Sequence, residues 1–283
     1  MHFVCYLIIC SALCIYVVIL IDLSTYFCYT GKPDLPLLEL PGLSILNCFY
    51  DWMHCAHLGL YQMILGSVMH LLVHKHLPSD PMANLTVVWK KMCKYYSDHP
   101  GCAKYSRMKL SMFSSPKDSG PKLRGKAAVI RAHCKILYLI WKELMSQADQ
   151  THKEVLVLLK SMCILEDVLH DYKTHYVLPA QIAKQFDKAC VCVLQLCQSL
   201  SYKFAVGGEK CFTLTKKGHF LAHLSANSHL LNPSLVWCYR GEDFMSTMRT
   251  LMEACVKGVG PSGTSKKVAA RIRVGMHFEL LGL

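Results

Sequence analysis

The sequence predicts a mostly α fold with a small α/β remnant near its start. Three observations carry that expectation. Between His54 and Tyr202 apolar residues recur at helical spacing, and short polar or Pro-containing breaks separate the segments. One short run, Leu43 to Tyr50, is apolar, partly β-branched or aromatic, and follows Pro41-Gly42, so it reads as a buried strand ending at the carboxylate of Asp51. Ahead of it, Phe3 to Ile21 carries no charge and reads as an apolar helix.

The N-terminal run comes close to the roughly 20 residues needed to cross a hydrocarbon core about 30 Å thick. A membrane span or anchor is one reading. A cleaved signal peptide fits less well, because no Lys or Arg precedes the run and no small-x-small site closes it. A buried soluble element and a segment not native to the domain are the other readings. Localisation follows the choice: membrane if the segment is native, nuclear if it is not. Gly31 to Pro41 is then an extended Pro-rich connector.

Asp51 stands at the tip of the strand, with a helix starting behind it. Open α/β folds place catalytic or metal-binding acids there. An Asp that caps the helix through its free N–H groups fits the same position. From His54 to about His76, Leu58, Tyr61, Leu65, Val68 and Leu72 define one helix face. Pro78-Ser79-Asp80-Pro81 breaks it. Further helices are predicted over Leu85 to Tyr96, Ala127 to Met145, His152 to His170, and Pro179 to about Tyr202, the last opened by Pro at a favoured position. Cys211 to Thr215 reads as a short extended piece. His219 and His223 share a face if their segment is helical. A helix carrying Phe244, Met248, Leu251 and Cys255 starts at Glu242-Asp243, where the helix dipole favours acids.

Bulk composition narrows function. A chain of 283 residues is one large domain or two small ones. With 53% apolar and 18% charged residues, wholesale disorder is excluded. The net charge of +12 makes a polyanion, DNA or an anionic membrane surface, the natural partner class. Basic residues gather at Lys122, Arg124, Lys126 and Arg131 around a polar loop, and at Lys266 and Lys267 in a Gly/Ser-rich tail. These suit phosphate contact, and equally a solvated surface. The 16 cysteines form no CxxC pair, which argues against a zinc ribbon; they read as buried reduced thiols of an intracellular protein. A metal enzyme built on His54, His57, His219 and His223 is allowed by spacing, but no zinc signature is complete.

Asp51-Trp52-Met53-His54, followed by a Leu-Gly and an apolar helix, resembles the D-x-M-H element of CACTA (En/Spm-type) DDE transposases. Leu178-Pro179-Ala180-Gln181-Ile182 is similar to that family's LPAEI-type helix start, and His219 with His223-Leu224 to its paired-His helix. Trp237 to Met245 resembles its W-x-Y-P-F-E-R-x-M element, and Gly258 to Ala270 the basic stretch beyond. The likeness covers roughly residues 35 to 275 in a consistent order. It implies a partial RNase H-like core with a long all-helical insertion. Residues 32–76 would form the strand–Asp–helix element, 77–205 the insertion, and 206–283 the Glu-bearing element and basic tail, behind an apolar segment over 1–31.

Asp51 would then be the second acid and Glu242 the third, with His54 in the signature. Asp51 and Glu242 would hold Mg²⁺ or Mn²⁺, whose paired ions activate water and stabilise the leaving oxygen. Two departures bear on activity. Residues 1 to 50 leave no room for the first strands and their acid, for which Asp22 and Asp34 are poor substitutes, and Arg240-Gly241 replaces the family's Pro-Phe. The expectation is a transposon-derived DNA-binding domain without nuclease activity of its own. The alternative is a membrane-anchored helical interaction protein held through residues 3–21.

Overall fold

The predicted face of Leu58, Tyr61, Leu65, Val68 and Leu72 lies on one continuous helix, α1, Met53–His76, and every one of those residues except Leu58 is fully buried. Ile64, Met69 and Val73 on its other sides are also fully buried, so α1 is apolar nearly all round and forms the axis of the core. Its central part, Tyr61–Leu71, is α-helical, while Met53–Leu60 and Leu72–His76 have wider π-type turns. The first wide stretch is broken at Gly59, with φ −122° and ψ −105°.

The computed structural model describes residues 50–114, 120–239, 249–255 and 261–281, and among them none is in a β-strand. The predicted strand, Leu43 to Tyr50, lies outside the described residues apart from Tyr50, as does the apolar run over 3–21. The described chain is mostly helical, as the sequence predicts. It divides between Trp237 and Cys238 into two units.

In the first unit α1 is followed by α2, Pro81–Asp98; α3, Ala127–Leu144; α4, Gln150–Asp171; α5, Ala180–Val206; and α6, Lys216–Ala226. Helices α3, α4, α5 and α6 pack each on the next, α6 returns to α1, and α2 and α3 close the other side. Both α1 and α5 are long and apolar enough to cross a membrane, but α1 is buried over 89% of its most apolar stretch, as the core helix of a folded domain would be. Each helix starts where its residues dictate. Asp80 caps α2, accepting from the Met82 and Ala83 amides at 2.9 and 3.2 Å, with Pro81 at the first turn. Asp149 caps α4 in the same way.

Two of the breaks are sealed from within by asparagine. Asn84, buried, donates from Nδ2 to the Val73, Leu77 and Ser79 carbonyls at 2.9, 3.0 and 2.7 Å, closing the end of α1. Asn232, also buried, donates to the Tyr172 and His175 carbonyls at 2.8 and 3.0 Å after α4. These side chains replace the partners that the last carbonyls of a helix lack.

One expectation is corrected. Cys211 to Thr215 is not an extended strand piece; it is an irregular turn in which Phe212 has φ 55°. The Gly/Ser-rich tail, for which no element is predicted, includes a helix, α7, Pro261–Leu281, in the second unit, opened by Pro261. A helical stretch over 249–255 precedes it. The described cysteines are all free thiols and most are buried, with Cys163 and Cys190 pushed up to about 12 by burial.

Candidate functional site

The start of α1 brings together three stretches that the sequence separates widely. Asp51 does the work of a cap: its Oδ1 accepts from the Met53 amide at 2.9 Å and its carbonyl accepts from the Cys55 amide at 3.0 Å. Its other oxygen, Oδ2, is bound by His54 Nδ1, which donates to it and leaves Nε2 as the ring's second nitrogen. Tyr50 stacks on Phe220 of α6, with centroids 4.2 Å apart and planes 12° from parallel, and lies 6.4 Å from the His223 ring. Trp52 is fully buried and packs against Phe186 of α5 at 5.2 Å.

Helix α6 is tied to the kink in α1. The break at Gly59 frees the Leu58 carbonyl, which accepts from Lys217 Nζ at 3.2 Å. A Cβ at position 59 would stand 2.7 Å from Lys217 Cδ and 2.9 Å from the His54 carbonyl oxygen, so the close approach needs glycine. Further along α6, His219 and His223 share a face as their spacing predicts, and their Nε2 atoms are 3.0 Å apart. In that bond one ring donates and the other accepts.

Behind the corner lies a buried ionic cluster on Glu166 of α4. His57 Nε2 donates to Oε1 at 2.9 Å, Arg131 Nε donates to Oε2 at 2.7 Å, and the Trp52 indole N–H reaches Oε1 at 3.5 Å. Burial alone would raise the Glu166 pKa, but the charges and hydrogen bonds of His57 and Arg131 outweigh it and hold the carboxyl below its ordinary value. The Tyr61 hydroxyl is buried near this carboxylate with no hydrogen-bond partner among the described residues, and burial, then the Glu166 charge, pushes its pKa well up. The Arg131 guanidinium also lies over the Trp237 ring, 4.8 Å from its centroid. Arg131, counted from the sequence among the phosphate-contacting residues, is thus turned inward to this cluster.

The other predicted basic residues stand at the surface. Lys122, Arg124 and Lys126 are exposed and alternate with buried Pro121 and Leu123. The segment is fastened down: the Leu123 amide donates to the Gln62 carbonyl at 2.8 Å, the Arg124 amide to Met112 at 2.8 Å, and the Tyr105 hydroxyl to the Arg124 carbonyl at 2.8 Å. It crosses α1 at Gly66, where a Cβ would meet Leu123 N and Lys122 Cα at 2.6 Å. Three cations are therefore presented by a fixed backbone. Lys266 and Lys267 are exposed on α7.

Glu242 lies outside the described residues. The donors that Asp51 gathers in the first unit, one carboxylate and one imidazole, are not the all-oxygen set that Mg²⁺ demands, and both carboxylate oxygens already serve other groups. They do not by themselves fit a two-metal clamp. Sequence reasoning missed Glu166. The signal was available, since Glu166 falls four residues after Met162 and seven after Leu159 on the apolar stripe of α4, a position that buries a charge only when it is paired. Comparison of the chain with protein-family models, curated proteins and solved structures finds no match to any of them.

Proposed function

We propose that this chain is a transposon-derived DNA-binding domain related to CACTA-type DDE transposases, with an RNase H-like corner at Asp51 and no nuclease activity of its own. The observation that carries the reading is convergence. Three of the stretches similar to the family, Asp51 to His54, the helix start at Leu178 to Ile182, and the His219–His223 helix, belong to elements that pack on one another, through Trp52 on Phe186 and Tyr50 on Phe220. In this reading α2 to α5 belong to the insertion, and Glu242 is the third acid. Mg²⁺ or Mn²⁺ would have to draw Asp51 away from its cap and from His54, which supports a corner retained for architecture.

DNA is met by Lys122, Arg124 and Lys126, with Lys266 and Lys267 adding to the surface charge. The test is duplex binding by the full-length chain across a salt series, with strand cleavage followed in parallel with and without Mg²⁺. Binding should weaken steeply with salt, and neutralising Lys122, Arg124 and Lys126 together should reduce the slope of log K against log salt by about 2 to 3. Flat, salt-independent behaviour ends the DNA reading. Metal-dependent cleavage lost in Asp51→Ala ends the inactive reading. Binding to anionic vesicles that needs residues 3–21, with none to DNA, favours the membrane-anchored alternative.

A further inference from the structure

The opposite half of α1 carries a second cluster, remote in sequence from every family-like motif. His70 and His74 lie four residues apart on α1, with ring centroids 4.8 Å apart. The loop after α5 brings Glu209 and Cys211 to them. A ring nitrogen of His70, a carboxylate oxygen of Glu209 and the Cys211 sulfur all lie within 4.8 Å of one another.

The loop that does this is built with care for its position. Gly208 and Phe212 both take left-handed backbone angles, φ 77° and 55°. For Phe212 that conformation is strained and must be held by its surroundings. They are visible: its ring is buried beside Phe204, and its amide donates to Ser67 Oγ of α1 at 2.8 Å. On the other side the Lys210 carbonyl lies where a Cβ on Gly120 would be, at 1.9 Å, so only glycine fits there. The effect is to fix Cys211, fully inside the protein, next to His70.

Glu209 supplies the second observation. Its Oε1 accepts from Lys75 Nζ at 2.9 Å, while its Oε2 is buried with no hydrogen-bond partner among the described residues. A buried carboxylate oxygen without a donor is rare and calls for an explanation. A cation beside it provides one.

We infer that His70, Glu209 and Cys211 form a binding site for a borderline-soft divalent metal ion, Zn²⁺ by class. The donor set of one imidazole, one carboxylate and one thiolate suits zinc and excludes Mg²⁺ and Ca²⁺, which take oxygen. Around a tetrahedral zinc such donors sit about 3.3 to 3.7 Å from one another, so closing the site needs side-chain movements of about 1 Å. Three protein ligands leave the fourth position to water or to an incoming group. The site is independent of the Asp51 corner and of the DNA reading.

The test uses Co²⁺ on the full-length chain, because a cobalt–thiolate bond has its own near-ultraviolet charge-transfer band. One Co²⁺ should bind per chain with that band, and Zn²⁺ should displace it. Cys211→Ser should abolish the band, while Cys93→Ser, which removes an exposed thiol elsewhere, should leave it unchanged. His70→Gln and Glu209→Gln should weaken Zn²⁺, measured against a chromophoric chelator, by at least about tenfold, the lower end of what even outer partners of a metal contribute. Far-UV circular dichroism reports whether each variant is folded, and Glu209, on the rim, decides the matter if Cys211→Ser is not. No band at excess Co²⁺, a band that survives Cys211→Ser, or Zn²⁺ affinity unchanged in Glu209→Gln overturns the inference.

Discussion

At the N-terminal end of α1, Asp51, His54, His57, Glu166 and Arg131 answer one another: each carboxylate oxygen there accepts from a named donor. In the C-terminal half, His70, Glu209 and Cys211 lie within 4.8 Å of one another, yet a buried oxygen of Glu209 has no donor among the described residues. The same helix thus carries one cluster whose carboxylates are fully partnered, although the Tyr61 hydroxyl beside Glu166 is not, and one whose carboxylate is left short. The difference teaches where to look for a cation. A carboxylate with both oxygens partnered stabilises a shape, and one with an oxygen to spare has capacity left over.

The comparison breaks first at Glu166. Glu166→Leu removes the buried carboxylate that pairs with His57 and Arg131, and urea unfolding should show a loss of about 3 to 5 kcal/mol. Replacing His57 and Arg131 with apolar residues as well should return much of it, since a buried ion pair is costly to break and cheap to replace whole.

Acid is the next lever. His133 of α3 is buried; its Nδ1 donates to the Val129 carbonyl at 2.6 Å, so its Nε2 accepts from the Tyr96 hydroxyl at 2.7 Å, and the ring is neutral. Burial lowers its pKa from 6.5 to about 4. The folded state therefore disfavours the proton. Its contribution is fully present above pH 6.5 and is lost as pH falls toward 4, amounting to about 3 kcal/mol by linkage. Glu166, with its pKa depressed below 4.5, adds a second loss only at more acid pH, where its carboxylate takes up a proton. Unfolding free energy measured against pH should fall in the first window in the parent and stay flatter there in His133→Gln.

Smaller effects sharpen the contrast. Asp51→Ala removes a helix cap and the partner of His54, and a thermal melt should report about 1 kcal/mol, the value of a cap. Retained DNA binding in that variant would agree with an architectural role. Lys75→Ala, at the other end, breaks an exposed pair with Glu209 and should change stability by no more than about 0.5 kcal/mol in the same melt.

Helices α2 to α5 were legible in the sequence because each has an apolar stripe at helical spacing, reinforced by Pro or Asp at the starts of α2, α4 and α5. The face shared by His219 and His223 was legible for the same reason. The strand predicted before Asp51 falls outside the described residues. Helix α7 was hidden by its Gly and Ser, which obscure the helix-forming run around Val268 to Ile272. The cap at Asp51 was one of two readings that its position allowed, and only its hydrogen bonds distinguish them. Cys211 and Glu209 gave no local signal, since their partner His70 meets them only because the loop after α5 is fastened to α1. Short spacing is visible along a chain; long-range pairing is made by tertiary structure.

The asparagine clamps have a consequence for how the chain meets a protease. The segments after α1 and α4 carry Pro, Ser, Asp, His and Tyr and look like cleavable linkers. Asn84 and Asn232 hold the backbone carbonyls of those turns from the inside, so the strand cannot peel away into an enzyme's cleft without giving up several bonds at once. Under brief digestion both turns should stay whole despite their composition, and a change of either asparagine to alanine should open a new cleavage site at the turn it seals.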